Sequence, residues 1–246
     1  MKKLAVLAAI ALSTAPTANA GEFSLGLVTS YSPAVYKGLD SDVVPFPMIG
    51  YEGKHLYLRG TGGGIRLRPA GSPFNVIGFL QYDPRTLRPG DSDDLDIQKL
   101  DEREPGVLGG VTLQAVNQAG VFQFSVGSDV TGDHYGLYSE VTWKKPFING
   151  RYGLIPEVGY AYNSDKLNNH LYGVSSAEAE RTRFDAFDAG WSGKLFVGAS
   201  SYMHITKKIR ITGSLRYTKL DDELANSPIV KTENALSGTL GVAYVF

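Results

Sequence analysis

Apolar and polar residues alternate along most of this chain with a period of two. From 209 to 218, one face carries Ile209, Ile211, Gly213, Leu215 and Tyr217, and the other Arg210, Thr212, Ser214, Arg216 and Thr218. Alternation over about ten residues marks a strand between two unlike environments, and that length crosses a bilayer when tilted. Segment 135–144 repeats the pattern, with Leu137, Val141 and Trp143 against Tyr138, Glu140, Thr142 and Lys144. In 152–163, Tyr152, Leu154, Pro156, Val158, Tyr160 and Tyr162 oppose Gly153, Ile155, Glu157, Gly159, Ala161 and Asn163. In 120–130, Phe122, Phe124, Val126 and Val130 oppose Gln123, Ser125 and Asp129. A lumen tolerates charge where lipid does not. Arg59, Glu140, Glu157, Arg210 and Arg216 are therefore read as lumen-facing.

The pattern predicts strands at 22–31, 43–51, 54–60, 62–69, 73–83, 104–117, 120–130, 135–145, 152–163, 191–204, 208–219 and 235–246. Short connections (around 52, 70, 118, 147 and 206) alternate with long polar ones at 32–42, 84–103, 164–190 and 220–234. An even-stranded barrel with both termini in the periplasm has short periplasmic turns and longer outer loops. The alternation needs a reversal near Thr61-Gly62, which Gly62, Gly63 and Gly64 permit. The predicted fold is all-β, a transmembrane antiparallel barrel of about twelve strands. Tyr31, Trp143, Tyr160, Tyr162, Tyr217, Tyr244 and Phe246 gather toward strand ends, as interfacial aromatic girdles do.

The two termini sharpen the compartment. Lys2 and Lys3, the apolar stretch Leu4 to Ala15 and Ala18-Asn19-Ala20 make a tripartite export signal. Cleavage between Ala20 and Gly21 is expected, leaving 1–20 as signal peptide and 21–246 as the barrel. The chain ends Thr239-Leu240-Gly241-Val242-Ala243-Tyr244-Val245-Phe246. With Gly241, Tyr244 and Phe246 in place, this resembles the terminal signal that the outer-membrane assembly machinery recognises. The expected location is the outer membrane of a Gram-negative bacterium, with outer-membrane lipid and lipopolysaccharide as surroundings.

Composition narrows the chemistry. Without Lys2 and Lys3 there remain 22 basic and 25 acidic residues, a net of −3. No basic run points to nucleic acid. There is no Cys, so no disulfide framework holds the fold. His55, His134, His170 and His204 show no metal-ligand spacing. Ser128, Asp133 and His134 cluster without a nucleophile elbow. The acidic run 91–104 places Asp91, Asp93 and Glu102 at calcium-loop positions but puts Asp96 where glycine is needed, and it reads as a solvated outer loop. Neither a catalytic residue, a metal site nor a cofactor is predicted, and the chain is not read as an enzyme.

Short stretches in order along the chain resemble the MipA/OmpV outer-membrane proteins. They are Phe23-Ser24-Leu25-Gly26, Tyr36-Lys37-Gly38, Val44-Pro45-Phe46-Pro47, Tyr51-Glu52-Gly53 and Arg59-Gly60 with the glycines 62–64. Tyr172-Gly173-Val174-Ser175, Arg216-Tyr217-Thr218 through Leu220, Asp222 and Glu223, and Ser227-Pro228-Ile229-Val230 follow. The departure is 176–190, where Arg181, Arg183, Phe184 and Phe187 replace the family's usual residues. The resemblance implies a non-enzymatic scaffold for peptidoglycan remodelling. It would join a murein-degrading lytic transglycosylase to a penicillin-binding murein synthase. The competing expectations are a small-solute channel or porin lined by the lumen charges, and a surface adhesin using 84–103 and 164–190.

Overall fold

The computed structural model describes residues 21–246. The predicted signal segment 1–20, including Ala20 on one side of the expected cleavage junction, lies outside the described residues. The strand segments are β1 (Glu22–Ser32), β2 (Asp42–Glu52), β3 (Leu56–Arg59), β4 (Gly62–Arg66), β5 (Phe74–Asp83), β6 (Gly106–Asn117) and β7 (Gly120–Asp129). They continue as β8 (Leu137–Lys144), β9 (Phe147–Asn149), β10 (Tyr152–Asn163), β11 (Ser192–His204), β12 (Ile209–Leu220) and β13 (Asn234–Val245). Every pairing is antiparallel. β1 closes the sheet against β13, with Ser24 opposite Val245 and Tyr31 opposite Gly238.

β8 and β9 are two halves of one wall strand. Both pair with β10, β8 along Glu157–Asn163 and β9 along Tyr152–Leu154. Pro146 sits at the break, where it has no N–H to give to the ladder. The wall is thus a closed barrel of twelve strands, the predicted fold.

Burial runs opposite to that of a soluble protein. Leu25, Leu27, Leu80, Val141, Leu195, Leu215 and Leu240 point outward and are exposed. Ser24, Ser30, Thr112, Thr142, Glu157 and Ser214 point inward and are buried. An apolar outer band and a polar interior suit lipid outside and water inside. Aromatic side chains mark both ends. Near the loops, Tyr160 donates its hydroxyl to Asp221, and Tyr217 donates to Asn234 Oδ1 at 2.5 Å. At the other end, Trp143 Nε1 donates to the Ala119 carbonyl at 3.1 Å, and Phe246 lies against Phe23 and Tyr244.

The reversal after β3 falls one residue earlier than predicted. Arg59 stands opposite Gly62, so the loop is Gly60-Thr61, and Gly60 has φ +58°. Only glycine takes that conformation at little cost. β3 and β4 are also shorter than predicted. Past Arg66 one more bond, Leu67 N–H to the Val76 carbonyl at 2.8 Å, continues the pairing, and the Asn75 side chain then bonds Arg68 N–H and C=O at 2.9 and 2.8 Å in place of the ladder.

The larger correction concerns the long loops, expected to be polar and solvated. They hold the hydrophobic core of the molecule. Tyr36, Leu87, Ile97, Leu100, Leu167, Leu171, Tyr172, Phe184, Leu224 and Ile229 form one buried cluster drawn from four loops. Three short helices help build it: α1 (Asp165–Tyr172), α2 (Ser176–Arg181) and α3 (Asp222–Ala225). The result is a folded cap at one end of the barrel.

Candidate functional site

Three features carry the chemistry: the lumen, the cap, and the rim at the turn end. In the lumen, β10 places Glu157 between two cations. Its Oε1 accepts from Arg216 at 2.7 Å, and its Oε2 lies 3.8 Å from Lys144 Nζ. Arg216 also stacks over the Phe196 ring, 4.1 Å from its centroid. Glu140, inward on β8, accepts from Tyr138 at 2.6 Å and from Thr142 at 2.7 Å. Nearer the turn end, Glu52 bridges Arg59 at 2.8 Å and Arg66 at 2.5 Å, and both guanidinium groups lie over Tyr57. Arg210 pairs with Glu22 at 2.9 Å. Arg59, Glu140, Glu157, Arg210 and Arg216 each lie on the face of their strand opposite its exposed apolar residues. Period-two reading put Lys144 on the polar face of 135–144 but did not find that it, Glu52 and Arg66 are pairing partners, because pairing between strands is decided by register.

Between these groups lies a cavity of about 370 Å³, lined among others by Tyr57, Phe79, Glu140, Lys194 and Arg216. Buried ion pairs of this kind add little net stability, because desolvation offsets attraction. What they do is fix side chains across neighbouring strands.

The cap begins at helix caps written in the sequence. Ser164 Oγ accepts the N–H of Leu137 at 2.9 Å and caps α1. Ser175 and Glu178 form a reciprocal capping box at the start of α2. The Ser-x-x-Glu spacing at 175–178 was the available signal for this helix. Glu178 then ties α2 to the 84–105 loop: it pairs with Arg103 at 2.8 Å and accepts Asp101 N–H at 3.0 Å. Burial pushes its carboxyl up, but the Ser175 and Asp101 N–H groups and Arg103 outweigh this and hold it below the usual carboxylate range. Tyr36 donates to the Leu171 carbonyl at 3.0 Å, and Ser227 donates to that of Tyr172 at 2.6 Å.

Residues 176–190 are structural here. Arg181 pairs with Asp101 at 2.5 Å and Arg183 with Asp94 at 2.6 Å. Phe184 is buried, and Phe187 bridges Val174. The acidic run 91–104 is thus partly neutralised from a neighbouring loop. His134 and His170 stack with centroids 4.6 Å apart. Burial lowers both pKa values, and the charge of His170 lowers that of His134 further. Asp129, at the end of β7, accepts the N–H groups of Thr131, Gly132, His134 and Tyr135 and fixes this loop. Ser128 faces outward opposite Leu137, and His134 Nδ1 accepts from Gly136 at 2.9 Å, so these residues do not form a hydrolytic arrangement. His55 Nδ1 contacts the Arg66 carbonyl at 2.9 Å.

The turn-end rim has a charge pattern that no single sequence window displays. Turns 53–55, 67–73, 118–119, 145–151 and 205–208 contribute Lys54, Arg68, Lys145, Arg151, Lys207 and Lys208, and no Asp or Glu. The loop end, by contrast, is rich in acids, with Asp91, Asp93, Asp133, Asp165, Glu180, Asp185, Asp188 and Asp222 among them. The molecule is electrically polar along the barrel axis.

The family model described as MltA-interacting protein MipA matches residues 25–246. The chain belongs to the MipA family. The MltA-interacting protein of Escherichia coli (strain K12) is 30% identical over 99% of this chain and 98% of its own length. Putative outer membrane protein YiaT of the same strain is 26% identical over 98% of each. Outer membrane protein OmpV of Vibrio cholerae is 27% identical over 61% of this chain and 58% of its own. Among solved structures, the COG4313 outer membrane channel from Pseudomonas putida F1 aligns over 94% of this chain and 97% of that one, with TM-score 0.43 and 10% identity. This MipA-family member is a β-barrel of the outer membrane, and its relatives indicate no enzyme family. Its Val44-Pro45-Phe46-Pro47 lies in β2, its Tyr172-Gly173-Val174-Ser175 joins α1 to α2, and its Ser227-Pro228-Ile229-Val230 packs into the cap. The C-terminal residues Gly241, Tyr244 and Phe246 lie along and just past β13, with Tyr244 and Phe246 facing outward at the turn end.

Proposed function

We propose that this protein is an adaptor for peptidoglycan remodelling, joining a murein-degrading lytic transglycosylase to a murein synthase at the inner face of the outer membrane. The cationic turn-end rim carries this reading. In the orientation usual for such barrels the short turns face the periplasm. Six cations from the five turns, with exposed Glu22 at the same end paired to Arg210, then present a basic surface that attracts acidic partner faces and rejects basic ones. The turns are too short to form a pocket. A stable complex, which buries on the order of 1,600 Å² in total, must therefore spread over the whole rim. Family membership and the relative named MltA-interacting protein support the choice of partner. The folded cap at the loop end and the small lumen cavity weigh against a channel, and the folding of 176–190 into the cap weighs against its use as a free adhesive loop.

The test is crosslinking in native membranes, then affinity capture of the tagged protein and mass spectrometry. Recovery of a murein hydrolase and a synthase above an unrelated barrel is expected. The K54E/R151E/K207E/K208E variant should fold and lose most of both. Undiminished capture by that variant, or capture of neither enzyme by the wild type, would sink the adaptor reading.

A further inference from the structure

One cation inside the barrel has no partner. Lys194 is the third residue of β11, near the cap end, and it lines the lumen cavity of about 370 Å³. Register explains its isolation. It stands opposite Ala161 on β10 and Leu220 on β12, both buried and apolar. Among the described residues its ammonium makes no hydrogen bond or ion pair, whereas the other cations lining the cavity are held. Glu52 holds Arg59 together with Arg66 behind it, Asp83 holds Arg85, and Glu157 holds Lys144 and Arg216. Glu140, a further carboxylate of the wall, receives the hydroxyls of Tyr138 and Thr142. An ammonium withdrawn from bulk water without a counter-charge is costly.

The space in front of Lys194 has a roof, an apolar side and a positive field. Pro84 and Arg85 line its loop end, on the loop that carries Leu87, Ile97 and Leu100 into the cap. Tyr138, packed against the same cluster, lines it there as well. From this roof the cavity extends along β8 past Glu140 to Lys144, the last residue of the strand before the turn end. Beside Lys194, the Phe196 ring lies over Gly159, where a Cβ would strike it, and Arg216 stacks on that ring at 4.1 Å. Tyr57 and Phe79 line the cavity from β3 and β5, across the lumen. With Arg66 and the carboxylates that pair behind the wall included, six cations meet four carboxylates. A cleft with one sign of charge in excess and low-dielectric walls focuses its field on a ligand of the other sign.

We propose that this chamber is a binding site for a small organic anion with one carboxylate and a compact apolar body. The carboxylate takes the ammonium of Lys194, and the body lies between Phe196 and the side formed by Tyr57 and Phe79. Ligand sites run from roughly 300 to 1,000 Å³, and a cavity at the lower end of that range suits a single ring or a short branched chain rather than a lipid tail. One unpaired ammonium matches one carboxylate. A second negative charge on the ligand would face Asp83 and Glu140 in the same wall. A bare inorganic ion would leave the aromatic lining uncovered. Entry is from the turn end, toward which the cavity runs and where the basic turns raise the local concentration of anions. The site is independent of the adaptor role.

The test uses the full mature chain folded in dodecyl maltoside micelles, with 4-azidobenzoate as the probe. After irradiation, adducts are mapped by mass spectrometry. Adducts are expected on Tyr57, Phe79 and Phe196, and excess benzoate should suppress them where the same excess of neutral benzamide does not. Lys194→Gln should cut this labelling about tenfold at subsaturating probe, the size of one lost charge-assisted bond, while 4-azidobenzamide labels both proteins alike. Ser125→Phe, which fills the chamber from β7, should reduce labelling with Lys194 intact. Folding of each variant is checked by its urea transition. Adducts confined to outward residues such as Leu195, Leu215 and Leu240, or labelling that benzoate leaves undiminished, would overturn the site. Equal 4-azidobenzoate labelling of wild type and folded Lys194→Gln would overturn the assignment of the carboxylate, and equal suppression by benzamide would show that the chamber selects no anion.

Discussion

Glu157 holds two cations that the barrel wall brings within reach of each other. Removing its charge leaves Arg216 and Lys144 buried without their partner, which is costlier than never having had the pair. Glu157→Gln should therefore lower stability by roughly 3 kcal/mol, read from urea unfolding of the refolded barrel. Glu157→Gln combined with Arg216→Met should recover much of that loss. If the double variant is no better than the single, the two residues are not coupled as described. The same scale explains a miss. Glu140, Glu157 and Arg216 were legible as inward charges from their place in alternating segments. Their partners were not, because Lys144 meets Glu157 only through the β8–β10 register.

At the scale of elements, α1 and α2 are held by groups whose charge depends on pH. Glu178 has a lowered pKa, so its contribution is complete above the unfolded carboxylate value of about 4.3 and is lost as pH falls through the folded value. His134 and His170 also have lowered pKa values, so they favour the neutral folded form. Their contribution is complete above the unfolded value of about 6.5 and is lost as pH falls from there toward the folded values. The groups acting on this pair are Asp83, Arg85, Arg103, Asp129 and Asp133. Acid acts in one direction on all three sites: it loosens the cap. Amide hydrogen exchange across 164–191, corrected for the intrinsic rate, should be faster at about pH 5 than at pH 7.5, with β10 to β13 unchanged. His134→Asn with His170→Asn should remove the part of the response near pH 6. A pH-independent rate would contradict this account. The helices themselves were partly legible, since Ser175 and Glu178 spell a capping box. They were passed over because their host segment is polar and lacks a long apolar period.

For the molecule as a whole, the cap and the wall are different kinds of fold in one chain. The wall is stable because its apolar side meets lipid. The cap is stable because four loops bury apolar side chains against one another, as a small soluble domain does. Deleting 176–190 takes away Phe184, Ala189 and the Glu178 tie to Arg103. Such a deletion should expose the cluster, make 84–105 sensitive to protease and raise conductance in planar bilayers above that of the wild type. Unchanged conductance and unchanged proteolysis would show that the loops fold independently. Charge polarity along the axis is likewise a property of the whole. Lys54, Arg68, Lys145, Arg151, Lys207 and Lys208 are far apart in sequence and share one rim only because every second connection returns to the same end.

The sequence by itself determined the wall: its strand number, its inward charges and its lipid-facing band. Each strand is a local, period-two object whose environment is imposed from outside by lipid and water, so ten residues suffice to read it. Tertiary structure decided the cap, the ion-pair partners, the short reach of β3 along β2 and the cationic turns. These depend on which residues meet after closure, and Leu87, Leu171 and Ile229 have no common period along the chain. Pro45 and Pro47 stand between the two cases. They were visible as residues, but what they do became readable only when register showed that their missing N–H groups point to the side of β2 where β3 makes no pairing.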